Sequence, residues 1–154
     1  MRLIHYSRTP FNLSTRRKYT QDPGCFKPVG LWVSVEGDMD WPTWCRAEGF
    51  YPERLAYASE IVVSHSSILY IDTLSALDGF TRVFGVGGQS DKIDWPAVCR
   101  LWGGIVIAPY QWCRRMEYLW YYSWDCASGC IWDRSIIKEV KRVETAEEAQ
   151  SRVA

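Results

Sequence analysis

Residues 124–133 read Trp-Asp-Cys-Ala-Ser-Gly-Cys-Ile-Trp-Asp: a lone carboxylate, a small Ser-Gly turn and a short apolar strand. They close an unusually aromatic run, Tyr-Leu-Trp-Tyr-Tyr-Ser-Trp at 118–124. A carboxylate set among rings carries a desolvation penalty that only a partner or a reaction offsets. Asp125 is therefore the first candidate for chemistry. The strand centred on Ile131 and Trp132, with another at 136–140, puts β-structure at the end of the chain.

Working outward, residues 103–109, Gly-Gly-Ile-Val-Ile-Ala-Pro, predict a buried strand by length and β-branching. Two helix starts share one grammar: Asp40-Trp41-Pro42 and Asp94-Trp95-Pro96 each set an Asp N-cap before a first-turn Pro. The sequences diverge at once after Cys45 and Cys99, so shared capping chemistry explains the match better than duplication. Residues 55–65 and 68–71 predict strands. Residues 73–84 predict a helix with Leu74, Leu77, Phe80, Thr81 and Phe84 on one side. The glycine-rich stretch 85–90 ends that helix as a connector, since no Lys-Ser/Thr follows it in phosphate-cradle spacing.

Near the start, residues 2–7 alternate as a strand with Leu3, His5 and Ser7 on one face. Residues 30–35 form a second, opened by the turn Lys27-Pro28-Val29-Gly30. Between them runs a basic loop, 8–28, of a length that is usually functional or mobile. The order predicts a mixed α+β fold in a single domain over 1–140. A charged, Ala-rich tail follows at 141–154, a short helix or a frayed end.

At 154 residues the chain has room for one core. Eighteen basic residues balance eighteen acidic ones, so no global field draws it to nucleic acid or an anionic membrane. Nine Trp and nine Tyr suit cores, interfaces or ring stacking. No apolar run approaches a membrane span and the start lacks a signal-peptide core, so a soluble, cytoplasmic protein is expected. The six cysteines are expected to be reduced and metal-free. The closest pair is Cys126-x-x-x-Cys130 rather than Cys-x-x-Cys, and only His5 and His65 could complete a site.

The order Ile4-His5-Tyr6-Ser7, then Gly30-Leu31-Trp32-Val33-Ser34, resembles the first two strands of diphtheria-toxin-like ADP-ribosyltransferases, where a His-x-Ser/Thr signature precedes a short Gly/aromatic/small strand. Leu101-Trp102-Gly103-Gly104-Ile105-Val106-Ile107 is similar to their Gly-Tyr-Asp-Gly-Ile strand entry. Cys130-Ile131-Trp132-Asp133-Arg134-Ser135-Ile136-Ile137-Lys138 is similar to their closing Val-Val-Phe-Asp-Pro-x-x-Ile-Lys segment. Among small members the chain looks most like phage anti-CRISPR ADP-ribosyltransferases.

The resemblance implies two small mixed or antiparallel sheets around a cleft with flanking helices. It implies NAD as co-substrate, transfer of ADP-ribose to a macromolecular target, protein rather than nucleic acid, and a phage effector acting on a host defence component in the host cytoplasm. His5 would contact a ribose hydroxyl, the Tyr6 backbone would hold the nicotinamide amide, and Ser7 and Ser34 would support the site. Trp32 would line the floor or stack on the nicotinamide. Asp125 would stand for the family's terminal acid, usually Glu and one methylene longer, while the place just before the last strand holds Ser128-Gly129. Cleavage of the nicotinamide–ribose bond builds oxocarbenium charge, which a fixed carboxylate stabilises more in the transition state than in the ground state.

Structural roles compete with each assignment. His5 also fits a satisfied edge histidine, Trp32 and Trp124 fit core, and Asp125 fits a turn residue. Arg8, Arg16, Arg17 and Lys18 fit a solvated loop, or a site for a pyrophosphate, a nucleic acid or an acidic protein patch. Cys126 or Cys130 with His5 or His65 would make a cysteine nucleophile. The alternative class is a non-enzymatic viral inhibitor, a binding module that occludes its partner through a Trp/Tyr-rich surface.

Overall fold

The computed structural model describes residues 1–37, 39–50, 52–88 and 91–144. The two strands expected near the start of the chain become β1 (Leu3–Ser7) and β2 (Leu31–Val35). Asp40 accepts from the Thr43 amide at 2.9 Å and opens α1 (Trp41–Glu48). Gly49 closes that helix in the left-handed region at φ 61°, where a side chain would be strained. β3 (Tyr57–Val63) begins later than residue 55, because a 3-10 turn at Pro52–Leu55 takes its expected start. β4 (Ile68–Ile71) and α2 (Leu74–Phe84) follow, and α2 buries Leu77, Phe80 and Thr81. Asp94 then caps α3 (Trp95–Cys99) through the Ala97 amide at 3.0 Å. The rest of the chain supplies β5 (Gly104–Ile107), α4 (Leu119–Tyr122), β6 (Ser128–Ile131) and β7 (Ile137–Val143).

Two boundaries shift. Trp132 lies just past β6, its amide donating to the Gly103 carbonyl at 3.0 Å. β7 runs beyond residue 140, with Arg142 opposite Ser59 and Val143 opposite Ala58, so residues 141–143 belong to the sheet rather than to a tail. Residues 145–154 lie outside the described residues, as do Gln89 and Ser90 of the glycine connector.

The strands form one curled seven-stranded sheet in the order β4-β5-β6-β2-β1-β3-β7. β4 and β5 are parallel; all other neighbours are antiparallel. Two separate sheets are not formed, because β2 pairs with β6 on one side and β1 on the other and so joins the halves. That junction is nevertheless incomplete. β1 and β2 are in register at Leu3↔Val35 and Ile4↔Ser34, and no further. The Glu36 amide donates to the Arg2 carbonyl at 3.2 Å, which sets the phase of the ladder. By antiparallel alternation the next hydrogen-bonding pair after Ile4 and Ser34 would be Tyr6 and Trp32, with His5 and Val33 facing each other between them. The strands splay before reaching them, and a cleft opens where the ladder stops.

Behind the sheet the aromatic surplus is spent on packing. Phe80, Trp95 and Trp120 meet with ring centroids 5.5–6.0 Å apart, and the Trp120 indole donates to Thr81 Oγ1 at 3.2 Å. Trp124 joins them at 6.2 Å from Trp120 and is itself fully buried. This cluster fixes the segment that carries Asp125. The long loop is tied down by buried Arg134, whose guanidinium donates to the Tyr19 hydroxyl at 2.6 and 3.0 Å and to the Ser14 carbonyl at 3.3 Å.

Candidate active site

The split between β1 and β2 opens into a cavity of about 320 Å³. His5, Tyr6, Trp32, Ser34 and Asp125 all line it, from three stretches of sequence that lie far apart. Ser7 does not. Its hydroxyl donates to the Thr9 carbonyl at 2.8 Å in an exposed turn. Lys27, Trp41, Arg54, Trp124, Cys126 and Ser128 also contribute to the lining.

His5 bridges the split. Its Nδ1 lies 2.8 Å from the Trp32 carbonyl, which can only accept, so Nδ1 carries the proton and Nε2 keeps a lone pair. Phe11 meets the ring edge-on at 4.7 Å. Burial lowers the His5 pKa below its ordinary value; the Trp32 hydrogen bond opposes this and the Arg134 charge adds to it. His5 is thus a neutral acceptor at physiological pH. Ser34, also buried, accepts from the Trp41 amide at 2.8 Å and so holds the first turn of α1 against the cavity. Burial pushes the Tyr6 phenol up to about 12, which keeps it a neutral hydroxyl.

Asp125 stands between two cations. Lys27 Nζ lies 3.7 Å from Oδ2 and Arg115 Nη2 lies 3.4 Å from Oδ1, and the carboxylate side chain keeps 26% of its surface exposed. Arg115 is braced in turn. It donates to the Tyr110 hydroxyl at 2.9 Å, the Tyr110 hydroxyl donates to the Trp124 carbonyl, and the guanidinium lies 5.2 Å from the Tyr122 ring centre. The circuit returns to the peptide next to Asp125, which fixes where the carboxylate points. In the turn after it, the Ser128 hydroxyl donates to the Cys126 carbonyl at 3.0 Å.

The aromatic wall consists of Trp32 against Trp124, edge-on with centroids 4.9 Å apart. Trp124 Nε1 is a buried donor with no hydrogen-bond partner among the described residues. Lys27 Nζ sits 5.2 Å from the Trp32 ring centre. Burial lowers the Lys27 pKa, and the Asp125 charge opposes that shift.

Cys126 lines the same cavity as His5, but its burial disfavours the thiolate that a cysteine nucleophile needs. Burial pushes the Cys126 thiol up to about 12 and Cys130 well above its ordinary value, so both are thiols rather than reactive thiolates. His65 pairs instead with the Tyr70 hydroxyl at 2.8 Å. The basic loop group also lies away from the cavity lining: Arg8 pairs with Glu53 at 2.8 Å and Arg17 lies over Tyr19 at 5.3 Å. Lys27 and Arg54 supply the cavity's cations in its place. The sequence offered Lys27 only as a turn residue, and nothing in its local pattern marked Arg54 or Arg115. Among the described residues no group of three or more His, Cys, Asp or Glu could hold a metal ion, and no helix is long and apolar enough to cross a membrane.

In comparisons with known proteins, no family model, no curated protein and no solved structure matches the chain.

Proposed function

We propose that this protein is an NAD-dependent mono-ADP-ribosyltransferase acting in the split between β1 and β2. The observation that supports this reading is the Tyr6 edge of β1, left without a ladder partner on β2 and opening into the same cavity as the Asp125 carboxylate. A strand edge presents amide donors and carbonyl acceptors, which suits the carboxamide of nicotinamide at Tyr6. The free Nε2 of His5 accepts from a ribose hydroxyl. Asp125, oriented by Arg115, stabilises the oxocarbenium charge that grows as nicotinamide departs, and the Trp32–Trp124 wall excludes water and strengthens that field. A volume of about 320 Å³ lies at the lower end of the range for small-molecule sites, ~300–1,000 Å³. It suits the nicotinamide–ribose half of NAD, with the adenosine half along the mouth.

The acceptor in this reading is a protein. Trp112, Met116, Leu119 and Tyr122 are 48–80% exposed within one eleven-residue segment whose Arg115 reaches Asp125. Large apolar side chains of this kind are typical protein contacts, and the balanced charge gives no global attraction to nucleic acid. With the resemblance to the phage enzymes, this suits an effector that modifies a host defence protein in the host cytoplasm. The same exposed segment favours the second reading, an occlusive inhibitor that needs no chemistry.

The two readings part in one experiment. Purified protein is incubated with NAD labelled in the nicotinamide ring, and free nicotinamide is followed with time. Release by the wild type and its loss in Asp125→Asn supports the transferase. A protein that neither binds NAD nor releases nicotinamide leaves occlusion as the account.

A further inference from the structure

Two cations flank one carboxylate at the cavity wall, Lys27 from the lining and Arg115 from behind it, and the charges do not balance. Asp125 carries one negative charge, while Lys27 at 3.7 Å and Arg115 at 3.4 Å carry two positive ones. Arg115 is held on its far side by Tyr110 and lies over Tyr122, so it belongs to the framework. Lys27 has no such brace. Its described polar partner is Oδ2 of Asp125, its ammonium lies over the Trp32 face at 5.2 Å, and 39% of its side chain is exposed at the mouth. An aromatic face opposite a carboxylate oxygen is a seat for a cation. We infer that Lys27 is a built-in, displaceable occupant of this seat, and that the ligand replacing it is an N-substituted pyridinium, taken in preference to the neutral pyridine.

The exchange is favourable for a physical reason. A primary ammonium is compact and strongly hydrated, and burial in this cavity disfavours its charged form. A pyridinium spreads its charge over a flat ring, so it loses less hydration on entering while keeping the attraction to the Trp32 face and to Oδ2. Lys27 leaves on a flexible stem that already reaches solvent, and one cation replaces another without adding charge beside Arg115. Arg54 also lines the cavity and the Cys126 thiol is neutral, so no further anion is present among the lining residues to hold both cations at once. The choice of a pyridinium rests on the transferase reading, since oxidised NAD carries that ring. The same seat then discriminates against the reduced dinucleotide, whose dihydropyridine is uncharged.

The test uses small probes that need no chemistry: 1-methylnicotinamide, a cation, and nicotinamide, its neutral counterpart, each titrated calorimetrically. Lys27→Met keeps the apolar stem and empties the seat. It is expected to bind 1-methylnicotinamide about tenfold more tightly than wild type, with nicotinamide changed by less than about twofold. Lys27→Arg refills the seat and returns the wild-type affinity. Arg115→Met removes the same charge beside the same carboxylate without touching the Trp32 face, and Trp32→Leu in the Lys27→Met background removes the face. An equal gain in Arg115→Met would reduce the effect to net charge and overturn the proposal, as would equal gains for both probes or a gain that survives Trp32→Leu. A cation-selective gain in a protein that releases no nicotinamide from NAD upholds the seat and rejects the transferase; nicotinamide release without that gain does the reverse.

Discussion

Replacing Asp125 by Asn keeps the size of the side chain and removes its charge, so it separates what the carboxylate does for folding from what it does for reaction. The folding part is small. The group is 26% exposed and its two cations stand at 3.4 and 3.7 Å, longer than a close charge-assisted hydrogen bond. Pairs of this exposure are worth about 0–1 kcal/mol. For a domain of this length, that shifts the melting temperature by less than about 4 °C. On the transferase reading the reaction part is larger, because a preorganised group facing developing charge contributes about 2.7–4 kcal/mol. Nicotinamide release should on that reading fall by roughly 10²–10³-fold, with KM for NAD changing far less, since the same reading assigns affinity to His5, the Tyr6 edge and Trp32. Single-turnover nicotinamide release and a thermal melt on the same preparation read both parts. If Asp125→Asn releases nicotinamide at the wild-type rate while retaining its melting temperature, Asp125 is a turn residue paired to two cations and the catalytic assignment is refuted.

Three further outcomes follow from the geometry. His5 has a folded pKa below its ordinary 6.5, so the unfolded chain binds more protons between those values: the penalty is absent above 6.5 and grows as pH falls through the window. The melting temperature should drop between pH 7.5 and 5, less so in His5→Gln; an unchanged pH slope in that variant removes the buried-histidine argument. Asp78, whose partners Arg114 and Tyr118 hold its pKa at about 2, stabilises above 3.8 and loses that contribution only on approaching about 2, below this range. Gly129→Ala would set its Cβ 2.6 Å from the Ile105 carbonyl oxygen and 2.8 Å from Val106 Cγ2, and overpacking of this kind costs about 1–3 kcal/mol, or about 2–12 °C of melting temperature. A melt equal to wild type would mean that β5 and β6 can separate freely. Iodoacetamide on the native protein at pH 8 should modify exposed Cys113 first and spare buried Cys126 and Cys130, all six thiols should react in denaturant, and a chelator should leave the melt unchanged. Stoichiometric zinc in the purified protein, or early labelling of Cys126, contradicts this.

What the amino-acid order determines by itself is local. Asp40 and Asp94 cap helices because an Asp oxygen three residues ahead of an amide satisfies it whatever the rest of the molecule does. The buried face Leu77, Phe80 and Thr81 and the β-branched strand at 104–107 follow from period and composition in the same way. Asp125 entered as a candidate through its aromatic neighbours, and His5 and Trp32 through the order of short motifs, none of them through a signal that they would meet. Their meeting belongs to tertiary structure. It depends on β2 pairing with β6 across about a hundred residues and on β1 leaving β2 after Ile4, where a histidine ring takes the carbonyl that a strand amide would have taken. One sheet in place of two, a last strand running to Val143, and the cations at Asp125 were equally out of reach. Caps and periodicities are settled by hydrogen bonds and side-chain spacing within a few residues, whereas register, splay and charge neighbours are settled by which distant edges the whole core brings together.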